Sequence, residues 1–158
     1  MKRIFLLFPI LFILLTGCET TNPKVKLTPL EIQSIQSRSY EHSKDVVFPS
    51  VMSVFQDLGY SINSADINTG LITAESAADS DKKLKFWLGI TKVSQTKANA
   101  FIEKIGNETK VRINFVVINK KSFGYGQTDR EDEQILNPQP YQNAFEKIEN
   151  AIFIRSSS

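Results

Sequence analysis

Two segments of the chain place apolar residues at the spacing of one helix face. In the first, Lys44–Leu58, apolar side chains recur every three or four residues, and Gly59 follows where helices usually end. In the second, Asn137 supplies a cap and Pro138 a first-turn proline before another apolar stripe. The stripes comprise Val47, Val51, Val54, Phe55 and Leu58 in the first, and Tyr141, Ala144, Phe145, Ile148 and Ile152 in the second. Each helix has one such stripe, so each needs a single layer to pack against.

Alternating apolar and polar residues predict strands between the two helices. The clearest alternation spans Thr109–Asn119, where apolar residues also occupy part of the second face, as in a central strand. Asp66–Gly70 and the pair Gly106-Asn107 have turn compositions and predict two hairpins. The predicted strands, including a first one before the helices, are Ser37–Glu41, Tyr60–Ser64, Leu71–Glu75, Lys97–Ile105 and Thr109–Asn119.

The order β-α-β-β-β-β-α predicts an α+β fold in which a single antiparallel sheet has both helices packed on one face. Ala77–Lys85 and Lys120–Gln139 are polar or charged and are predicted to be loops. Leu30–Gln36 suits either a short helix or an extended lead-in. We expect a common core of Val54, Phe55, Leu58, Ile113, Phe115, Phe145 and Ile148.

The N-terminus has the parts of a bacterial lipoprotein signal peptide. Lys2 and Arg3 form a positive region, and the apolar run 4–15 follows. The tetrapeptide LTGC, which ends at Cys18, matches the lipobox, whose cysteine thiol is acylated before cleavage. The apolar run is shorter than the roughly 20 residues of a spanning helix, and Pro9 interrupts it. We therefore predict a signal peptide at 1–17 and lipid attachment at Cys18, the only cysteine.

Removing this signal peptide would change the charge balance. The chain has 19 basic and 17 acidic side chains; the signal holds two basic ones and no acid, so the mature chain balances 17 against 17. That balance argues against a nucleic-acid partner, because such proteins usually carry a clustered basic excess. Glu19, under the sorting rule of enteric lipoproteins, favours the outer membrane with the domain facing the periplasm. We expect a lipidated tether at 18–36, one domain at 37–155 and a frayed tail at 156–158.

The sequence offers no assembled catalytic or metal-binding set. His42 is the only histidine, and it lacks the partners of a conventional zinc site or catalytic triad. The acidic run 129–133 lacks the spacing of a calcium loop, and Gly124-Tyr125-Gly126 is too short to cradle a phosphate. Asp57 and Asp66 are interpreted as a helix-end acid and a turn former. We therefore predict a non-enzymatic protein that needs no cofactor.

Phe86, Trp87 and Leu88 form the one candidate interaction site. They lie in a charged, small-residue segment without a helix or strand period, and lysines at 82, 83 and 85 flank them. Basic residues beside aromatic ones suit a membrane interface or a protein contact. The alternative is that the three side chains fold back and cover the sheet.

Several short motifs resemble a group of poorly characterised proteobacterial envelope lipoproteins. They are Phe55–Tyr60 (FQDLGY), Ala65-Asp66, Thr69–Ala74 (TGLITA), Val111–Phe115 and Tyr141–Phe145. The succession of helix, Gly-aromatic pair, strand, turn and strand is also similar to the helix-grip domains of the lipoprotein subunit of the outer-membrane β-barrel assembly machine. That subunit has two such domains and this chain one, so no role in that machine is implied. The resemblance implies a helix-grip-like fold and supplies no catalytic residue.

These observations predict an anchored protein-interaction module of the cell envelope, accessory to an assembly or secretion complex. Its expected partners are the membrane, through Cys18, and an envelope protein. The rival hypothesis is a carrier that holds a lipid or another amphiphile between the sheet and the helices. An apolar cavity of roughly 300 Å³ or more in that position would favour the carrier, and a packed interior would favour the interaction module.

Overall fold

The computed structural model describes residues 27–80 and 90–157 of the chain. This part contains three helices and seven strands. In chain order they are α1 (Pro29–Gln36), β1 (Ser37–Tyr40), α2 (Lys44–Asp57), β2 (Tyr60–Asp66), β3 (Leu71–Ser76), β4 (Asp79–Ser80), β5 (Thr91–Ile105), β6 (Glu108–Ser122), β7 (Thr128–Gln134) and α3 (Pro138–Ser156).

The strands form one antiparallel sheet in the order β1-β6-β5-β3-β2. The long β5–β6 hairpin is its centre, and Gly106 turns this hairpin with a positive φ of 60°. Two further strands widen the sheet at the far end of the hairpin, where β4 pairs with β5 and β7 pairs with β6. As a result, β1 and β7 follow one another along the same edge of β6.

Helices α2 and α3 pack on one face of the sheet, which we call the helix face. Buried residues of both helices join alternate residues of the central strands in one apolar cluster. In β5 these are Ala98, Ala100 and Ile102, and in β6 they are Val111, Ile113 and Phe115. Residues between them point to the opposite side, the open face, because side chains alternate along a strand.

The structure confirms the predicted fold class, an α+β fold with one antiparallel sheet and the two long helices on one face. Six of the seven residues expected in the common core are buried together. Leu58 differs: it is the C-cap of α2 and is only partly buried against the cluster. Leu30–Gln36 is helical, and α1 starts at Pro29 after a capping box formed by Thr28 and Glu31.

Two predicted loops contain strands, so the prediction was wrong there. Within Lys120–Gln139, the segment β7 pairs with β6 over seven residues although every side chain in it is exposed. Within Ala77–Lys85, Asp79 and Ser80 pair with β5. Neither segment buries an apolar face, so neither shows the alternation that identifies strands in a sequence. Backbone hydrogen bonds to a long central hairpin hold them instead.

Candidate functional site

The residues with the clearest sequence signals lie outside the described part of the chain. This holds for Cys18, the predicted lipid attachment site, and for the candidate interaction residues Phe86, Trp87 and Leu88. Their proposed roles stay predictions. The described residues add surfaces that sequence reasoning did not single out.

The first is a groove between α2 and α3 on the outside of the helix layer. It has a volume of about 610 Å³, and Val46, Pro49 and Ala151 supply an apolar lining. Asp45 and Asp57 add carboxylates from α2, while α3 completes the groove with Ile154 and Arg155. Apolar walls with charges at the rim are typical of a site for a partner's side chains.

The interior between the helices and the sheet is packed with side chains. Phe55, Tyr60, Phe115 and Tyr141 form a chain of ring contacts there, with centroids 5.1–6.4 Å apart. Phe55, Phe115 and Tyr141 are almost completely buried. The groove described above is therefore formed by the outer sides of the helices, and the core residues do not line it.

A buried hydroxyl joins the helix layer to the edge of the sheet. Phe115 lies on β6 between the residues that pair with β1 and those that pair with β7. Its backbone N–H donates to the Tyr141 hydroxyl at 3.3 Å. The same hydroxyl donates to the Ile135 carbonyl at 2.7 Å and accepts from the Gln36 amide at 3.3 Å. This cluster has a structural role, because it satisfies polar groups that neither edge strand reaches.

The open face carries a polar group near the middle of the sheet. Lys97 forms an ion pair with Glu75 at 2.9 Å, and Gln95 donates to the same carboxylate at 3.3 Å. The hydrogen bond from Lys97 holds the pKa of Glu75 below its ordinary value. Both partners are accessible to water, so the pair contributes little to stability.

Nearer the β5–β6 turn, the open face carries three exposed apolar side chains beside a charged pair of register partners, Glu103 and Lys110. Leu71 lies directly opposite Phe101 on the neighbouring strand, and the two side chains are 50% and 38% exposed. Ile105, four residues further along β5 and on the same face, is 51% exposed. We call Leu71, Phe101 and Ile105 the sheet patch. The sequence alone does not distinguish these residues from other apolar strand residues, whereas the fold shows that the helices α2 and α3 pack on the opposite face.

Asp66 has the role expected of a turn former. Its carboxylate accepts the backbone N–H of Asn68 at 2.9 Å and the Thr69 hydroxyl at 3.1 Å. The bond from the Asn68 N–H is the main reason why the pKa of Asp66 lies below its ordinary value. The turn ends at Gly70, which has a positive φ of 78° and lies against the backbone of Ile102. These contacts explain the sequence of the turn without a catalytic role.

The other candidate residues are dispersed over the surface. His42 is exposed, and its carbonyl accepts the Thr109 hydroxyl at 2.6 Å. The acidic run 129–133 belongs to β7, where Arg130 pairs with Asp132 through two hydrogen bonds. Among the described residues, no three His, Cys, Asp or Glu side chains are grouped so that they could hold a metal ion.

The described helices are too short or too polar to cross a membrane. In comparisons with known proteins, no family matches the chain, and no curated protein is similar enough in sequence to serve as a relative.

Proposed function

We propose that this protein is an outer-membrane lipoprotein, anchored through Cys18, whose domain binds another envelope protein in the periplasm. The binding surface is the α2–α3 groove, and the role is that of an accessory to an assembly or secretion complex. The proposed role involves no catalytic reaction.

The groove is the observation that carries the proposal. It combines an apolar lining from Val46, Pro49 and Ala151 with carboxylates at Asp45 and Asp57 and the guanidinium of Arg155. Two carboxylates against one guanidinium suit a partner segment with an apolar side chain and a basic group beside it. Both walls are helices fixed by a common core, so the groove is largely formed before any partner arrives.

The packed interior favours this function over that of a carrier. A carrier would need an apolar cavity between sheet and helices, whereas Val51, Phe55 and Ile148 are among many side chains that fill this layer. The groove of about 610 Å³ is large enough for a ligand, but it is open and lies outside the core. A lipid seated there would remain exposed to water along one side.

Metabolic labelling with a fatty-acid analogue tests the anchor. We expect the wild-type chain to incorporate the label and Cys18→Ser to lose it, because no other cysteine is present. The variant should also lose its membrane association or keep its signal peptide. Equal labelling of the two chains would overturn the anchor.

Site-specific photo-crosslinking in living cells tests the groove. A photoreactive residue replaces Ser53, which lines the groove, and in a matched control it replaces Ser64, which is exposed on the edge strand β2. We expect a discrete adduct with one envelope protein from position 53 and none from position 64. Adducts of equal yield at both positions would contradict a specific groove partner.

Mass spectrometry of the purified protein under non-denaturing conditions tests the rival function, since a carrier would retain a stoichiometric amphiphile.

A further inference from the structure

We propose that the sheet patch rests on the bilayer that holds the Cys18 lipid, so that the open face of the sheet is the membrane-facing side of the domain. This inference rests on the anchor proposed above. It assigns the occupant of an exposed apolar surface, and it leaves the α2–α3 groove free for a protein partner.

The first argument is the length of the tether. Ten residues lie between Cys18 and Pro29, the first residue of α1, so the chain advances by eleven residue steps from one to the other. Fully extended, they span at most about 40 Å, and a flexible chain of that length has a mean reach of about 17–20 Å. A domain of this size is roughly 35 Å across. The start of α1 is therefore held closer to the bilayer than the opposite side of the domain.

The second argument is that α1 starts beside the open face. Pro29, Gln33 and Gln36 share a groove with Arg112, whose exposed side chain projects from that face. Arg112 lies directly opposite Phe101, and Phe101 lies opposite Leu71. The sheet patch thus begins one strand, about 5 Å, from the residue that lines this groove together with α1.

The third argument is the chemistry of the sheet patch and of Arg112 beside it. Leu71 and Phe101 present adjacent apolar side chains to solvent, and Ile105 adds a third beyond Glu103, which lies opposite Lys110 on the same face. Arg112 forms no ion pair with any described residue, and a guanidinium binds phosphate oxygens through two parallel hydrogen bonds. Apolar side chains with a neighbouring free cation fit the boundary between acyl chains and lipid phosphates.

Exposed phenylalanines on two sides of the domain allow a matched test. Phe101 lies in the sheet patch, whereas Phe153 is 71% exposed near the end of α3. In the full-length lipidated chain, Phe101→Cys and Phe153→Cys each provide the one free thiol for a fluorophore, because the Cys18 sulfur is bonded to lipid. Ile105→Cys, also in the sheet patch, replaces Phe101→Cys if that variant does not fold. The labelled chains are placed in vesicles of phosphatidylethanolamine and phosphatidylglycerol.

We expect quenchers on the lipid acyl chains to act several-fold more strongly at position 101 than at position 153. Aqueous iodide should show the reverse order, and Arg112→Gln should reduce the lipid quenching at 101. Equal quenching at both positions, or stronger lipid quenching at 153, would overturn this orientation. So would a label at 101 shielded from iodide without lipid quenching, which would indicate contact with another copy of the chain.

The intact mass of the same samples separates the two proposals. An acylated chain with the wrong quenching order overturns only the membrane-facing side. A chain without acyl mass overturns the anchor, and the orientation with it.

Discussion

Tyr141 completes the hydrogen bonding of Phe115 from another layer of the protein. The Phe115 N–H donates to the Tyr141 hydroxyl at 3.3 Å, while the two rings lie 5.1 Å apart. The Phe115 carbonyl is used separately, because it accepts the N–H of Ile135 at 2.9 Å. One side chain of α3 thus serves both as a core residue and as a hydrogen-bonding partner for the edge of β6.

Replacing Tyr141 by Phe should test this role. The variant keeps the ring but leaves the buried Phe115 N–H without its acceptor, and Ile135 and Gln36 also lose hydrogen bonds. We expect a loss of about 1–3 kcal/mol in the free energy of unfolding, measured in urea. Tyr40→Phe is the control, because the buried Tyr40 hydroxyl makes one bond, to the Phe145 carbonyl. An equal loss in both variants would contradict the special role of Tyr141.

Gly70→Ala should be strongly destabilising. The backbone at Gly70 has a positive φ, and a Cβ there would overlap the carbonyl oxygen of Ile102, whose N–H is bonded to the Gly70 carbonyl at 2.8 Å. Backbone strain alone costs about 1–3 kcal/mol, and the overlap adds to it. Gly59→Ala is a matched control, since Gly59 also has positive φ but no atom within 4 Å of the added Cβ. Similar melting temperatures for the two variants would refute the close approach at Gly70.

The elements that could be predicted from the sequence are those that bury an apolar face. Val47, Val51 and Phe55 repeat at helical spacing because one side of α2 meets the sheet, and Ile113 and Phe115 alternate because one side of β6 does. The strand β7 is held by its backbone and buries no side chain, so its sequence resembles a charged loop.

The surfaces proposed here depend on contacts between distant parts of the chain. The α2–α3 groove joins residues about a hundred positions apart, and the sheet patch arises because the helices cover one face and leave the other open. No local pattern encodes such neighbours. The proposed lipid attachment at Cys18 is the opposite case, because a lipobox is a short linear segment and can be predicted from the sequence without knowledge of the fold.

The ionised form of Asp66 should stabilise the fold at neutral pH. Its pKa is lower in the folded state, chiefly through the bond from the Asn68 N–H, so its contribution is complete above the ordinary Asp pKa of about 3.9. The contribution is lost as the pH falls through the lowered folded-state pKa. We expect Asp66→Asn to melt below the wild type at neutral pH and the difference to shrink on acidification. A difference that stays constant with pH would exclude this linkage. Asp57→Asn, at the exposed end of α2, provides the control for loss of one surface charge.

Trp87 decides between the two interpretations of the segment with Phe86 and Leu88. If the segment is an interaction site, Trp87→Ala should weaken membrane or partner association and leave the melting temperature nearly unchanged. If the side chain covers the sheet, its loss should cost about 3–5 kcal/mol. Two reference variants calibrate the scale: Phe115→Ala removes a core ring, and Tyr125→Ala removes a fully exposed one. A melting temperature close to that of Phe115→Ala, with binding intact, would reject the interaction site; one close to that of Tyr125→Ala, with binding lost, would establish it.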